Sequence, residues 1–127
     1  MTSSAQAKAS QARGRRAEDL VRRHLEAQGW RVAAQNHRTP AGELDLVAWD
    51  QEVLVFVEVK ARRPRAQVGP LEAVDRRKRR RLTQAAGAYL ASLAPPVPSC
   101  RFDVVAVELD GASPQVRHVV DAFRPED

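Results

Sequence analysis

Residues 42–63, GELDLVAWDQEVLVFVEVKARR, constrain the fold more than any other stretch, because two apolar runs lie on either side of Asp50, Gln51 and Glu52. Runs rich in Val, Leu and Phe with so short a polar interruption predict an antiparallel hairpin. From Val53 to Val57 every residue is apolar. A strand apolar on both faces belongs in the middle of a sheet covered on each side. Asp45, Glu58 and Lys60 interrupt these runs. Charge placed where a sheet is buried is costly unless something compensates it, so these three residues need a reason.

The flanking sequence supplies the cover. Between Gly14 and Gln28, Ala17, Leu20, Val21 and Leu25 fall at helical spacing, with Gly29 as the stop. Trp30 to Arg38 reads as a strand and TPAG, 39–42, as a turn. Pro64 and Pro70 make 62–70 a basic loop, since proline interrupts strand hydrogen bonding. A second helix is predicted from about Leu71 to Ala94, where Leu71, Val74, Leu82, Ala85 and Tyr89 mark its apolar stripe and PPVP ends it. RFDVVAVEL from Arg101 and QVRHVV from Gln115 complete the strands. The order is αβββαββ, an α/β domain with a mixed sheet flanked by helices. It spans 14–123, between a flexible arm at 1–13 and a tail at 124–127.

With 127 residues the chain is long enough for one domain with a real core. No apolar stretch reaches the roughly 20 residues of a membrane span, and Met1 to Arg13 lacks the apolar centre of a signal peptide. A cytoplasmic protein without a membrane is therefore expected. Cys100 is the single cysteine, which excludes an intrachain disulfide and a cysteine-built zinc site. A net charge of +5 fits a polyanionic partner, or equally a basic surface kept for solubility. Of 21 basic residues only Lys8, Lys60 and Lys78 are lysine, so each lysine raises the question of what arginine could not do there.

Strand alternation puts Glu43 and Asp45 on one face of the first hairpin strand, and Glu58 and Lys60 on one face of the second. A loop giving an odd register brings Asp45 and Glu58 together, with cross-strand neighbours about 4.5–8 Å apart. Two converging carboxylates stay ionised most easily around a cation, and oxygen donors favour Mg²⁺ or Mn²⁺. Lys60 can then stabilise charge developing on a phosphate or help deprotonate a water, a task suited to an ammonium whose pKa can move. The alternative is an Asp45/Glu58/Lys60 ion-pair cluster that satisfies itself.

The D-x12-E-x-K pattern of Asp45, Glu58 and Lys60 resembles the signature of the restriction-endonuclease-like nuclease superfamily. Leu44 stands where that signature usually carries proline. More closely, GELDLVA, LVFVEVKAR, AAGAYL, RFDVVAV and HVVDAF, in this order across about 14 to 123, resemble the bacterial YraN family, a predicted nuclease family. The resemblance implies a restriction-endonuclease-like core in which Asp45 and Glu58 bind the divalent metal and Lys60 assists phosphodiester hydrolysis. Archaeal Holliday-junction resolvases are similar in carrying a glutamate on the first helix, a position that Glu18 matches; a solvated helix residue is the other reading. Glu43 resembles part of the YraN family's glycine-acid pattern, which implies a contact with metal or water, and it ranks below Asp45 and Glu58.

Lys78 shares a helical face with Leu71, Val74, Leu82 and Tyr89. It is expected either to snorkel or to reach a phosphate at the site. Arg62, Arg63 and Arg65 follow the second hairpin strand and are expected to clamp a backbone phosphate. The run Arg76 to Arg81 fits a solvated basic face as well as a DNA track. The function expected is a metal-dependent DNA endonuclease, with branched or repair substrates within its scope and a homodimer as the arrangement that would serve two strands. The rivals are a non-catalytic nucleic-acid-binding or adaptor protein of the same fold, and a module whose basic face meets an acidic protein.

Overall fold

The double-sided apolar character of 53–57 is resolved by a five-stranded sheet with a helix on each face. The computed structural model describes residues 2–62 and 74–125. Helix α1 is Thr2–Ala27, followed by β1 Arg31–Thr39, β2 Gly42–Asp50, β3 Val53–Arg62, helix α2 Arg76–Ala91, β4 Cys100–Glu108 and β5 Gln115–Phe123. The sheet order is β1-β2-β3-β4-β5. Among the described residues, β3 and β4 run parallel, joined by the segment containing α2, and the other pairs are antiparallel. The expected mixed sheet and element order are therefore observed.

Each face of the central strands has its own core. Val55 and Val57 of β3 and Val105 and Val107 of β4 pack with Ala17, Val21 and Leu25 of α1. Leu54, Phe56, Phe102 and Val104 pack with Leu82, Ala85 and Ala86 of α2. Phe56 stacks on Phe102 at 5.5 Å between centroids, and Phe102 on Phe123 at 4.7 Å. Burying each such side chain stabilises the fold by about 1.5–3 kcal/mol, which holds the central strands as a rigid platform.

Two element boundaries differ from expectation. The first helix begins at Thr2 rather than near Gly14, so the described part of the expected arm is helical. Ala5, Gln6, Ala7, Lys8, Ala9, Gln11 and Ala12 are good helix formers, and propensity carries the helix outward although residues 4–9 are exposed. The second helix begins at Arg76, not about Leu71, because Asp75 is its N-cap: extended at ψ 177, it accepts the Lys78 N–H at 2.9 Å. It ends at Ala91, before Ala94, where the Ser92 hydroxyl donates to Tyr89 O at 2.6 Å.

Candidate functional site

The hairpin loop is only Gln51 and Glu52, since Asp50 pairs with Val53. Gln51 takes a left-handed φ of 56, the backbone sense that lets a two-residue turn follow the strand twist. This register continues to Leu46↔Val57 and brings Asp45 across from Glu58. There the regular strand gives way. Val59 N–H donates to Asp45 Oδ2 at 2.9 Å, and Leu44 packs in the α2-side core while Leu46 packs in the α1-side core. On the other neighbour, β1, Asn36 lies across from Asp45 between the pairs Gln35↔Leu46 and His37↔Leu44, at a φ of 53.

Four acids gather at this break. Carboxylate oxygens of Glu18, Glu43 and Asp45 lie within 4.8 Å of one another. With its amide nitrogen turned toward the acids, Asn36 donates to Glu18 Oε1 and Oε2 at 3.1 and 2.9 Å and to Glu43 Oε1 at 3.0 Å. Glu58, only 4% exposed, is held differently. Its Oε2 contacts Lys78 Nζ directly and lies 3.5 Å from Lys60 Nζ. The expected metal pair, Asp45 and Glu58, is thus adjacent, while the oxygen triad within 4.8 Å among the described residues joins Asp45 to Glu18 and Glu43 rather than to Glu58.

Burial, followed by the charge and hydrogen bond of Glu58, pushes the Asp45 carboxyl up to about 9, against the pull of the Val59 N–H. Glu18 is also raised, by burial first and then by Glu43 and Asp19, against its hydrogen bonds with Asp45 and Asn36. A cluster that keeps a proton among its carboxyls is short of positive charge. The two lysines divide in opposite directions. Burial and the neighbouring Lys78 lower the Lys60 ammonium despite Glu58. Burial also works to lower Lys78, yet Glu58 and Lys60 together hold it above the usual lysine range.

The site opens into a concavity of about 340 Å³ whose lining includes Glu18, Asp45, Glu58, Lys78 and Arg81. Lys78 lines it, whereas Lys60 approaches Glu58 from beside it. Along α2, Arg76, Arg77, Arg80 and Arg81 are exposed, but Arg79 lies 5.5 Å over the Phe123 ring and donates to Val74 O. Arg62 ends β3 and is half-buried. Arg63 and Arg65 lie outside the described residues. Asn36 was not singled out from sequence. An Asn inside a strand-like run is a weak signal, but its tolerance of the left-handed region makes it the residue type to examine there.

Oxygen donors this close suit a hard divalent cation, since opposite oxygens around such an ion stand about 4–5 Å apart. Among the described residues no helix is long and apolar enough to cross a membrane. The chain is 50% identical over 95 residues to a UPF0102 protein of Symbiobacterium thermophilum, covering 75% of this chain and 80% of that one. It is 48% identical over 115 residues to a UPF0102 protein of Halorhodospira halophila, covering 90% and 88%, and 45% identical over 94 residues to one of Chlorobaculum tepidum, covering 74% and 73%. The model of the uncharacterised protein family UPF0102 matches residues 17–107, a segment running from the helix that carries Glu18 through the parallel strand pair. On these matches, and with four of the five YraN-like motifs inside the matched segment, the chain belongs to the UPF0102 family.

Proposed function

We propose that this protein is a metal-dependent endonuclease of the restriction-endonuclease-like superfamily, hydrolysing phosphodiester bonds in DNA in the cytoplasm. The observation that carries the reading is the convergence of Glu18, Asp45 and Glu58 with Lys78 in one concavity, with Lys60 on the same Glu58 oxygen. A self-contained ion-pair cluster accounts for Glu58 with its two lysines. It does not account for three further carboxylates brought alongside.

Asp45 and Glu58 would hold Mg²⁺ or Mn²⁺, with Glu18 and Glu43 as further oxygen donors. The ion, when bound, supplies positive charge to the phosphate and its attacking water. Lys60, whose ammonium is lowered, takes a proton from that water at Nζ. The water oxygen then bonds to phosphorus, the phosphorus bond to one sugar oxygen breaks, and that oxygen takes a proton from solvent. Diester plus water gives monoester plus alcohol, and Lys60 returns its proton to solvent. Lys78 stays cationic, balancing Glu58 and facing the phosphate. Pushing two neighbouring lysines apart in this way is how one site obtains both a base and a fixed cation. Arg81 and Arg62 supply phosphate contacts, so binding weakens with salt and shows little sequence preference.

The test is incubation of purified protein with linear, flap and four-way-junction DNA in EDTA, Mg²⁺ and Mn²⁺. Cleavage is expected only with a divalent ion, falling about 100-fold or more in Glu58→Ala and in Lys60→Ala. Lys60→Arg should not rescue it, because guanidinium cannot give up its proton. Intact DNA under every condition, or variants that cut like wild type, would overturn the proposal. Binding without divalent-dependent cleavage would identify the non-catalytic rival.

A further inference from the structure

A second concavity meets the first at the acids. It measures about 330 Å³ and is lined by Gln11, Arg15, Asn36 and Arg38 together with Gly14, Glu18 and Glu43. The last three residues also line the first concavity, so they form the pass between the two. Gly14 lies inside α1, where a glycine weakens a helix because its backbone has more freedom to lose. A Cβ built there would meet nothing within 4 Å, and unlike Gly29 and Gly42 its φ is not positive. Neither packing nor backbone geometry demands glycine at this position. Without a side chain, Gly14 adds no bulk where the two concavities meet.

The first concavity carries Lys78 and Arg81 beside Glu58 and Asp45, the pass carries Glu18 and Glu43, and the second concavity adds Arg15 and Arg38. Arg38 is 91% exposed on its side chain and 3.8 Å from Glu43, so its guanidinium can turn to a new anion at little cost. A row of phosphates matches that order, with outer phosphates on the cations and one phosphate over the acids. We propose that a polynucleotide strand runs unbroken over Gly14 from one concavity to the other, so that the site receives an interior phosphodiester and Arg15 and Arg38 form a second phosphate subsite. The proposal rests on the nuclease reading for its chemistry, but the binding path has its own test.

In EDTA, anisotropy of fluorescein-labelled DNA oligonucleotides should show wild type binding, and Gly14→Leu and the double variant Arg15→Glu/Arg38→Glu each binding about tenfold or more weakly. Gly14→Leu should melt at or above the wild-type temperature, since leucine favours helix over glycine. If that variant does not fold, the surface double variant carries the test. Wild-type affinity in the variants, or no binding by wild type, overturns the path. With Mn²⁺, wild type should open a covalently closed single-stranded circle as readily as it cuts the linear strand. Digestion of linear DNA from its ends alone would overturn the path and the endonuclease part of the reading, and leave metal-dependent phosphodiester hydrolysis standing. Neither form being cut while binding still responds to the variants would sink the nuclease reading and support the path as a binding groove.

Discussion

Two aspartates sit inside apolar strands of one sheet and are treated in opposite ways. Asp103 on β4 is fully buried, and its oxygens accept from Arg101 Nε at 3.0 Å, Arg101 Nη2 at 3.3 Å and the Asp121 N–H at 2.9 Å, with His118 Nε2 at 2.8 Å. Arg101 also reaches Asp50 at 3.0 Å and lies 5.3 Å over the Trp30 ring. Burial alone would raise this carboxyl, but His118, Arg101 and the Asp121 N–H hold it below the usual range. Asp45 accepts the Val59 N–H and lies beside Glu18, Glu43 and Glu58, while Lys78 in the same concavity is paired with Glu58. Among the described residues, Arg101 and His118 compensate the first charge, and the second forms no ion pair. That contrast separates a structural carboxylate from one poised for a ligand.

Substitution at both positions would break the comparison if they behaved alike. Asp103→Ala leaves Arg101 and His118 beside an empty site and should destabilise the fold by roughly 3–5 kcal/mol, read from urea unfolding. Asp45→Asn removes a carboxyl that repels its neighbours, so at neutral pH the variant should be no less stable than wild type. Its cost falls on function instead: DNA cleavage should drop about 100-fold or more, and the rise in Tm that Mn²⁺ gives wild type by binding the folded state should disappear. Equal destabilisation by the two substitutions, with the Mn²⁺ effect retained, would remove Asp45 from the metal site.

The pH dependence sharpens the contrast, because the two shifts have opposite signs. A carboxyl held low in the fold contributes stability above its unfolded pKa, and acid removes that contribution as pH falls through the folded value. Asp103 acts in that direction. A carboxyl held high contributes fully below its unfolded pKa and loses the contribution as pH climbs through the folded value. For Asp45 the interval runs from 3.8 to about 9. Without divalent ions, Asp45→Asn should therefore gain on wild type progressively across that interval and level off above it. Urea midpoints measured at several pH values check this, and a difference independent of pH would contradict the assignment.

What could be read from sequence follows from where the signal lies. The hairpin and the order of elements were legible because Val53 to Val57 are apolar on both faces, which only a central strand satisfies. The outer part of α1 was not, because residues 4–9 are exposed and leave no apolar stripe. Asp75 set the start of α2 locally, overriding an apolar pattern whose buried Val74 lies just before the cap. Asp45, Glu58 and Lys60 stood out as charges within apolar runs, and Lys78 as a lysine among arginines. Asp103 has the same local appearance as Asp45. What distinguishes them is the neighbouring strand, His118 and Asp121 for one and Asn36 for the other, and a single sequence does not display that pairing.

The smallest expected effect tests the closest parallel between the two centres. Asp103 lies at the register shift facing Asp121, whose φ is 53, and Asp45 lies across from Asn36, whose φ is also 53. Asp121 turns a backbone N–H to its carboxylate, whereas Asn36 turns a side-chain amide to Glu18 and Glu43. Removing that amide needs a replacement that tolerates the backbone, since a Cβ in the left-handed region costs about 1–2 kcal/mol for most residues. Asn36→Gly meets this condition, so stability should stay within about 1 kcal/mol of wild type. Loss of a group that orients ligands typically weakens metal binding about 10–100-fold, and the lower end is expected here because Glu18 and Glu43 keep their helix and strand positions. Mn²⁺ titration and cleavage at limiting Mn²⁺ measure it. A variant that binds and cuts like wild type would mean that the left-handed backbone at Asn36, and not its amide, shapes the acidic centre.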